Sequence, residues 1–340
     1  MKRLHCLQNA QAISRNCFIM CCVLCMLLTG CSPSLTGADR SGSESAEKDG
    51  FFFDTTVDII VNGENAGDLA DAAIELCKKM ELVFSATNKN SELYQVNHRS
   101  GNSVSVSDDL RDCLEKALFY CELSGGHFDV TIFPVSSLWD FHTTSDPQLP
   151  EVDEIVKQLK KVDYTKVHLD GNTLTFDSED TMIDLGAIAK GYISKKIADF
   201  LIDEGCSSAL INLGGNVHAL GSKTSGTAWK VGIQKPFAER GVLLDVIDVT
   251  DQCVITSGTY ERYFTVDGRQ YHHILDALTG WPAETGLSQV TVIGDDDAAC
   301  DAIATIALAA GKETALEAVK TAGLSVRMFG VDENGELSEW

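Results

Sequence analysis

Between residues 209 and 293 the chain places eight strand-type segments in succession, at 209–213, 217–220, 229–234, 242–249, 254–257, 262–266, 271–275 and 287–293, with no helical period among them. Parallel neighbours need a crossover of a dozen or more residues, usually a helix, whereas antiparallel neighbours are joined by short turns. A doubly wound sheet is therefore excluded for this stretch. Amphipathic helices are predicted around it. Residues 67–84 bring Leu69, Ala73, Leu76, Met80 and Val83 to near-helical spacing, and 108–124 open on Ser107-Asp108 as a cap. Further helices are predicted at 152–161, 187–202, 298–310 and 313–322, the fourth aligning Ile193, Ile197, Phe200 and Leu201. Strands are read at 55–61 and 182–185, with a strand–turn–strand over 166–176 and a closing hairpin around Asp332-Glu333-Asn334-Gly335. Runs of strands punctuated by helices predict an α+β fold with mainly antiparallel sheets covered by helices.

The N-terminal end has a different character. Lys2, Arg3 and Arg15 precede an apolar run over residues 17–28 and then Thr29-Gly30-Cys31. A basic start, a short apolar run and small residues are the layout of a secretory signal, and the run is short for a membrane span. Residues 1–30 are read as a signal peptide resembling that of a bacterial lipoprotein, with Cys31 as the lipidated residue; an uncleaved anchor is the alternative. Acyl chains on Cys31 would hold the protein on the extracytoplasmic face of a bacterial membrane without spanning it. Residues 31–50, rich in Ser, Gly and charge, are read as a flexible tether, and 51–340 as the folded domain. Lys+Arg number 27 against Asp+Glu 50, a formal charge of −23 at pH 7 with no local basic patch, so no nucleic-acid partner is expected. Outside the leader and Cys31 the cysteines are Cys77, Cys113, Cys121, Cys206, Cys253 and Cys300, scattered singly through apolar segments. Buried thiols are the plainer reading, although export would permit a disulfide.

Four clusters carry chemistry. In Gly125-Gly126-His127-Phe128-Asp129-Val130-Thr131, paired glycines let a ligand approach the backbone, and Phe128 and Asp129 offer a ring face and an acceptor; a helix C-cap followed by a buried aromatic explains the same residues. In Asp184-Leu185-Gly186-Ala187-Ile188-Ala189-Lys190-Gly191, a helix start with Lys190 in its first turn suits an anion, or is an ordinary corner with a solvated lysine. Asp301 and Thr305 stand four apart on one face of an Ala-rich helix, as hard oxygen ligands for Mg²⁺ or as a buried hydrogen-bonded pair. In Tyr271-His272-His273-Ile274-Leu275-Asp276-Ala277-Leu278-Thr279-Gly280, adjacent strand histidines face opposite ways, so at most one of the two enters a given site, where it could act as a base; a structural or surface imidazole is the alternative.

Together with Ser91-Glu92-Leu93, Val96-Asn97, Ile211-Asn212-Leu213-Gly214-Gly215-Asn216 and Thr256-Ser257-Gly258, this ordered set resembles the ApbE family of flavin transferases (FAD:protein FMN transferases), over roughly residues 51–330. The resemblance implies two T-fold-like subdomains with FAD in the cleft between them. It implies Mg²⁺-dependent transfer of FMN from FAD to a Thr or Ser hydroxyl of another exported protein, leaving a phosphoester and releasing AMP. By the same resemblance His127, Phe128, Asp129, Asp184, Lys190 and Ile274 would touch FAD. The Ala187 backbone oxygen, Asp301 and Thr305 would hold Mg²⁺, and His273 would be the base. Where many relatives have Asp-Pro, this chain has Asp276-Ala277, and the flavin-stacking aromatic of some relatives has only Thr87 near its place. No acceptor motif is found in the chain, so the acceptor is a separate protein. FAD pyrophosphate hydrolysis to FMN and AMP, or flavin binding without catalysis, stand as alternatives.

Overall fold

The computed structural model describes residues 44–141 and 147–340, so the leader, Cys31 and the tether as far as residue 43 lie outside the described residues. Eight strands form one sheet in the order Ser45–Phe52, Thr55–Asn62, Ala209–Leu213, Asn216–Leu220, Gln252–Gly258, Leu287–Gly294, Arg327–Asp332 and Leu337–Glu339. Every neighbouring pair is antiparallel, as the uninterrupted run of strand segments requires. This one continuous sheet lies within a single unit spanning Ser43–Trp340, which is not divided further into the two expected subdomains.

Alternation along the strands sorts the two faces. Val57, Ile59, Val61, Ile211, Ile255 and Val292 are buried on one face against the helices Ala66–Phe84, Ala189–Asp203 and Asp297–Ala310. Val217, Ala219, Val254, Ile293 and Phe329 point the other way, onto Trp229, Val231, Ile247 and Val249 of a two-stranded hairpin. Each large aliphatic side chain so covered stabilises by about 1.5–3 kcal/mol relative to exposure. Twelve of the fourteen residues of the 297–310 helix are buried, because alanine at half of the positions lets neighbouring helices and the sheet approach it closely.

Three sequence readings change. Residues 45–50 are not tether: they form the first six residues of an edge strand paired with Thr55–Asn62 over eight positions. One face of an edge strand meets solvent, so polar composition hid it; Ala46 and Phe52 are its inward anchors, and Lys48 pairs with Asp71 at 2.6 Å. A chain beginning at residue 53 is expected to be less stable than one beginning at 43 by at least about 2 kcal/mol, at a net of about 1 kcal/mol per hydrogen bond lost. Equal urea midpoints would contradict this.

Residues 182–185 are extended but join no sheet. The Asn97 carboxamide takes the place of a neighbouring strand, accepting from Ile183 N at 2.7 Å and donating to Ile183 O at 2.8 Å. The segment expected as one strand over 271–275 breaks after His272. Arg269–His272 pairs with Tyr263–Val266, and Leu275–Asp276 pairs separately with Trp281–Pro282, leaving His273 at the bend.

Candidate active site

The site begins where the start of the 189–203 helix meets the 297–310 helix. Gly191 makes the meeting possible: a Cβ there would lie 2.3 Å from the Asp297 carbonyl oxygen and 2.8 Å from the Asp301 Cβ. At this approach the Gly191 N–H donates to Asp301 Oδ2 at 2.9 Å. Gly191→Ala is expected to destabilise by about 1–3 kcal/mol, the usual cost of overpacking, although alanine outranks glycine in a helix by about 1 kcal/mol. A variant as stable as the parent in urea would show that the helices can part without cost.

Asp301 is 1% exposed, and burial pushes its carboxyl above the ordinary range; Lys190, the Gly191 N–H and the Asn216 amide pull it back. Lys190 Nζ stands 4.0 Å from Asp301 Oδ1. One turn further along the helix, the Thr305 hydroxyl donates to the Ala187 carbonyl oxygen at 3.5 Å. The three proposed metal ligands therefore meet in space, although they come from two separate segments. Their donor set is one carboxylate, one hydroxyl and one carbonyl, all hard oxygens. Among the described residues no three His, Cys, Asp or Glu side chains converge as a metal cage. Such an incomplete set of oxygens fits Mg²⁺, which usually keeps water and takes substrate phosphate oxygens. The helix start at Ile188 has no side-chain cap, leaving its positive end for an anion.

His273 joins this group through Arg262. Its backbone N–H donates to the Arg262 carbonyl oxygen at 3.0 Å, and ring Nδ1 lies 3.2 Å from the same oxygen. Nδ1 must carry the proton to make that bond, which leaves Nε2 with its lone pair. Burial pushes the His273 pKa down to about 3, and the positive charges of Arg262 and Lys190 push the same way. The imidazole is thus a neutral acceptor at ordinary pH. His272 is structural by contrast, with Nε2 3.1 Å from the Ala283 carbonyl oxygen. Asp184 also lies within reach of the Arg262 charge; its Oδ1 accepts the Gly186 N–H at 2.8 Å and tightens the turn leading to Ala187. Glu261 feels Lys190, Arg240 and Arg262 together, so cations of three segments face this corner.

The glycine-rich cluster 125–131 forms an adjoining wall. His127 Nδ1 is 2.9 Å from Asp276 Oδ1, and the His127 carbonyl oxygen accepts from Ala277 N at 3.1 Å, which ties this cluster to the HHILDALTG segment. Ile274 is 7% exposed and its carbonyl oxygen accepts from Ala283 N at 3.0 Å. Two residues of the cluster have structural partners of their own. The Phe128 ring is 5% exposed and packed in the main core. The Asp129 carboxylate accepts from Thr131 N at 2.7 Å and Thr131 Oγ1 at 2.6 Å on one oxygen and from Tyr164 N at 3.0 Å on the other, which shapes the loop.

Two residues have no role in the sequence reading. Arg262 holds His273 through a backbone oxygen, which no motif announces. Asn216 enters that reading only as the end of the 211–216 box; it is 1% exposed beside Asp301, after the doubled glycine with φ of 61° at Gly214 and 97° at Gly215.

Comparison with known proteins now bears on this arrangement. The model of the ApbE family matches residues 53–328. A FAD:protein FMN transferase of Klebsiella pneumoniae (strain 342) is 36% identical over 257 residues, covering 74% of this chain and 78% of that protein. One from Treponema pallidum (strain Nichols) is 36% identical over 254 residues, 70% of each. Among solved structures, the ApbE protein of Thermotoga maritima superposes with a TM-score of 0.79 at 30% identity, over 87% of this chain and 96% of that one. The flavin transferase ApbE of Vibrio cholerae gives 0.77 at 26% identity, over 88% and 97%.

Proposed function

The chain belongs to the ApbE family, and from that premise we propose that it transfers FMN from FAD to a Thr or Ser hydroxyl of another protein, releasing AMP. The observation that carries this reading is the meeting of Asp301, Thr305 and the Ala187 oxygen with Lys190, beside a neutral His273 held by Arg262.

The acceptor oxygen attacks the phosphorus on the FMN side of the FAD diphosphate. Its proton goes to His273 Nε2, and the anhydride bond breaks with its electron pair leaving on AMP. The half-buried, neutral imidazole has its lone pair available for that proton, and the Nδ1–H bond to the Arg262 carbonyl oxygen fixes its orientation. Lys190 and the uncapped start of the 189–203 helix face the diphosphate charge. A Mg²⁺ held by Asp301, Thr305 and the Ala187 oxygen would offset the charge on the phosphate oxygens. Asp184 and Lys190 are assigned to FAD, His127 and Ile274 to the adjoining wall, and Phe128 and Asp129 to its support from behind.

The basic leader, its apolar run and Cys31 support a reading of export and a lipid anchor, on which the acceptor would share the extracytoplasmic compartment. Cys31→Ser is expected to move the protein from the membrane fraction to the soluble one; retention in the membrane would remove lipidation from the account. The reaction is tested by following AMP release from FAD and Mg²⁺ by chromatography, with and without an acceptor domain. Acceptor-dependent AMP supports transfer; equal AMP in both arms would make the enzyme a FAD pyrophosphatase, and no AMP in either would leave a flavin-binding protein.

A further inference from the structure

Asn216 and His218 lie two apart on the strand Asn216–Leu220 and so share a face, the one turned to the 297–310 helix; Val217 and Ala219 pack on the opposite side of the sheet. Asp297 and Asp301 lie four apart on that helix and share its facing side. The two spacings match, and the residues form a ladder with two rungs between sheet and helix. The first rung is closed: His218 Nδ1 lies 2.9 and 3.0 Å from the two Asp297 carboxylate oxygens, with both side chains buried. The second is only partly formed. The Asn216 carboxamide lies beside the Asp301 carboxylate and contributes a weak hydrogen bond that favours its charged form, yet its buried Nδ2 reaches full hydrogen-bond geometry with no described residue.

A buried N–H donor short of a full hydrogen bond costs about 1–3 kcal/mol, so its place beside a carboxylate calls for a reason. Nδ2 is a donor and cannot ligate a cation. Asp301 has spare acceptor capacity, since Oδ2 takes the Gly191 N–H while Oδ1 has Lys190 at 4.0 Å. We propose that Asn216 is a positioning residue for the metal ligand Asp301: in the metal-loaded site its Nδ2 closes the second rung on the carboxylate and, with the Gly191 N–H, fixes which oxygen edge meets the cation. The His218–Asp297 rung sets the register of the helix so that this bond can form. Ligating carboxylates are ordinarily oriented by such outer hydrogen bonds. The inference rests on the metal assignment proposed above.

The test measures Mn²⁺ bound to the full chain by electron paramagnetic resonance, with FAD present in a His273→Ala background so that substrate is not consumed. Asn216→Leu, close in shape but without a donor, is expected to weaken Mn²⁺ binding by about 10- to 100-fold, while FAD affinity in EDTA and the urea midpoint stay close to the parent's. Asn216→Ser, small and polar but too short to reach Asp301, is expected to show the same loss, which guards against a folding defect in the leucine variant. Mn²⁺ affinity unchanged in both variants would overturn the positioning role. Tighter binding in Asn216→Asp would overturn it too, by showing that this side chain faces the cation directly. A parent that binds no Mn²⁺ would refute the metal assignment itself, a result distinct from either of those.

Discussion

Replacing Asp301 with alanine is expected to lower FMN transfer by at least about 10³-fold, the scale on which a preorganised group stabilising transition-state charge is lost. Asp301 is the only carboxylate among the three oxygens proposed for the metal, and at 1% exposure it brings a buried negative charge that a neutral oxygen does not replace. The alanine variant also orphans the Gly191 N–H, at about 1–3 kcal/mol of stability. Asp301→Asn separates the two effects, because its carboxamide oxygen still accepts from Gly191 while the charge is gone. Transfer is expected to collapse in both variants, and stability to suffer chiefly in the alanine one. Steady-state rates over a Mg²⁺ titration and urea midpoints decide the matter; an asparagine variant with parental rate at saturating Mg²⁺ would remove Asp301 as a ligand.

The loss of His273 ranks second. His273→Ala is expected to slow transfer by about 10²- to 10⁴-fold, the range of a general base, with FAD binding little changed. The pH dependence is the more specific signature. With its pKa pushed down to about 3, His273 is already neutral across the physiological range, so the transfer rate should show no inflection attributable to it near the ordinary histidine value of 6.5. The same shift acts on stability. The unfolded chain protonates His273 near 6.5 and the folded chain only near 3, so the stability it contributes is complete above 6.5 and is lost as pH falls from 6.5 towards 3. The alanine variant should have a flatter acid limb in urea midpoint against pH. A steep limb retained in the variant would mean that other groups carry the acid sensitivity.

The local patterns were legible where burial was simple. The helix read at 298–310 stands out by its apolar run, the structure adds the Asp296 cap that accepts from Ala299 N at 3.0 Å, and the Asp301–Thr305 face reads from helical spacing alone. The edge strand Ser45–Phe52 did not, because a strand with one wet face and charged residues looks like a tether in composition. The break at His273 was hidden because continuous β-type residues carry no mark of a bend. The structural partners of Phe128 and Asp129 were not legible: a ring and a carboxylate beside paired glycines carry no mark of the core or of the Thr131 and Tyr164 donors that meet them. Arg262 and Asn216 act through a backbone oxygen and across a sheet–helix seam, relations that exist only once the strands are paired.

The most direct measurement is the intact mass of an acceptor domain after incubation with the soluble chain from residue 32, FAD and Mg²⁺. The account predicts a gain equal to one FMN phosphoester, located on a Thr or Ser, and absent when Asp301 is replaced or Mg²⁺ is chelated. An acceptor of unchanged mass while FAD is cleaved to FMN and AMP would contradict it.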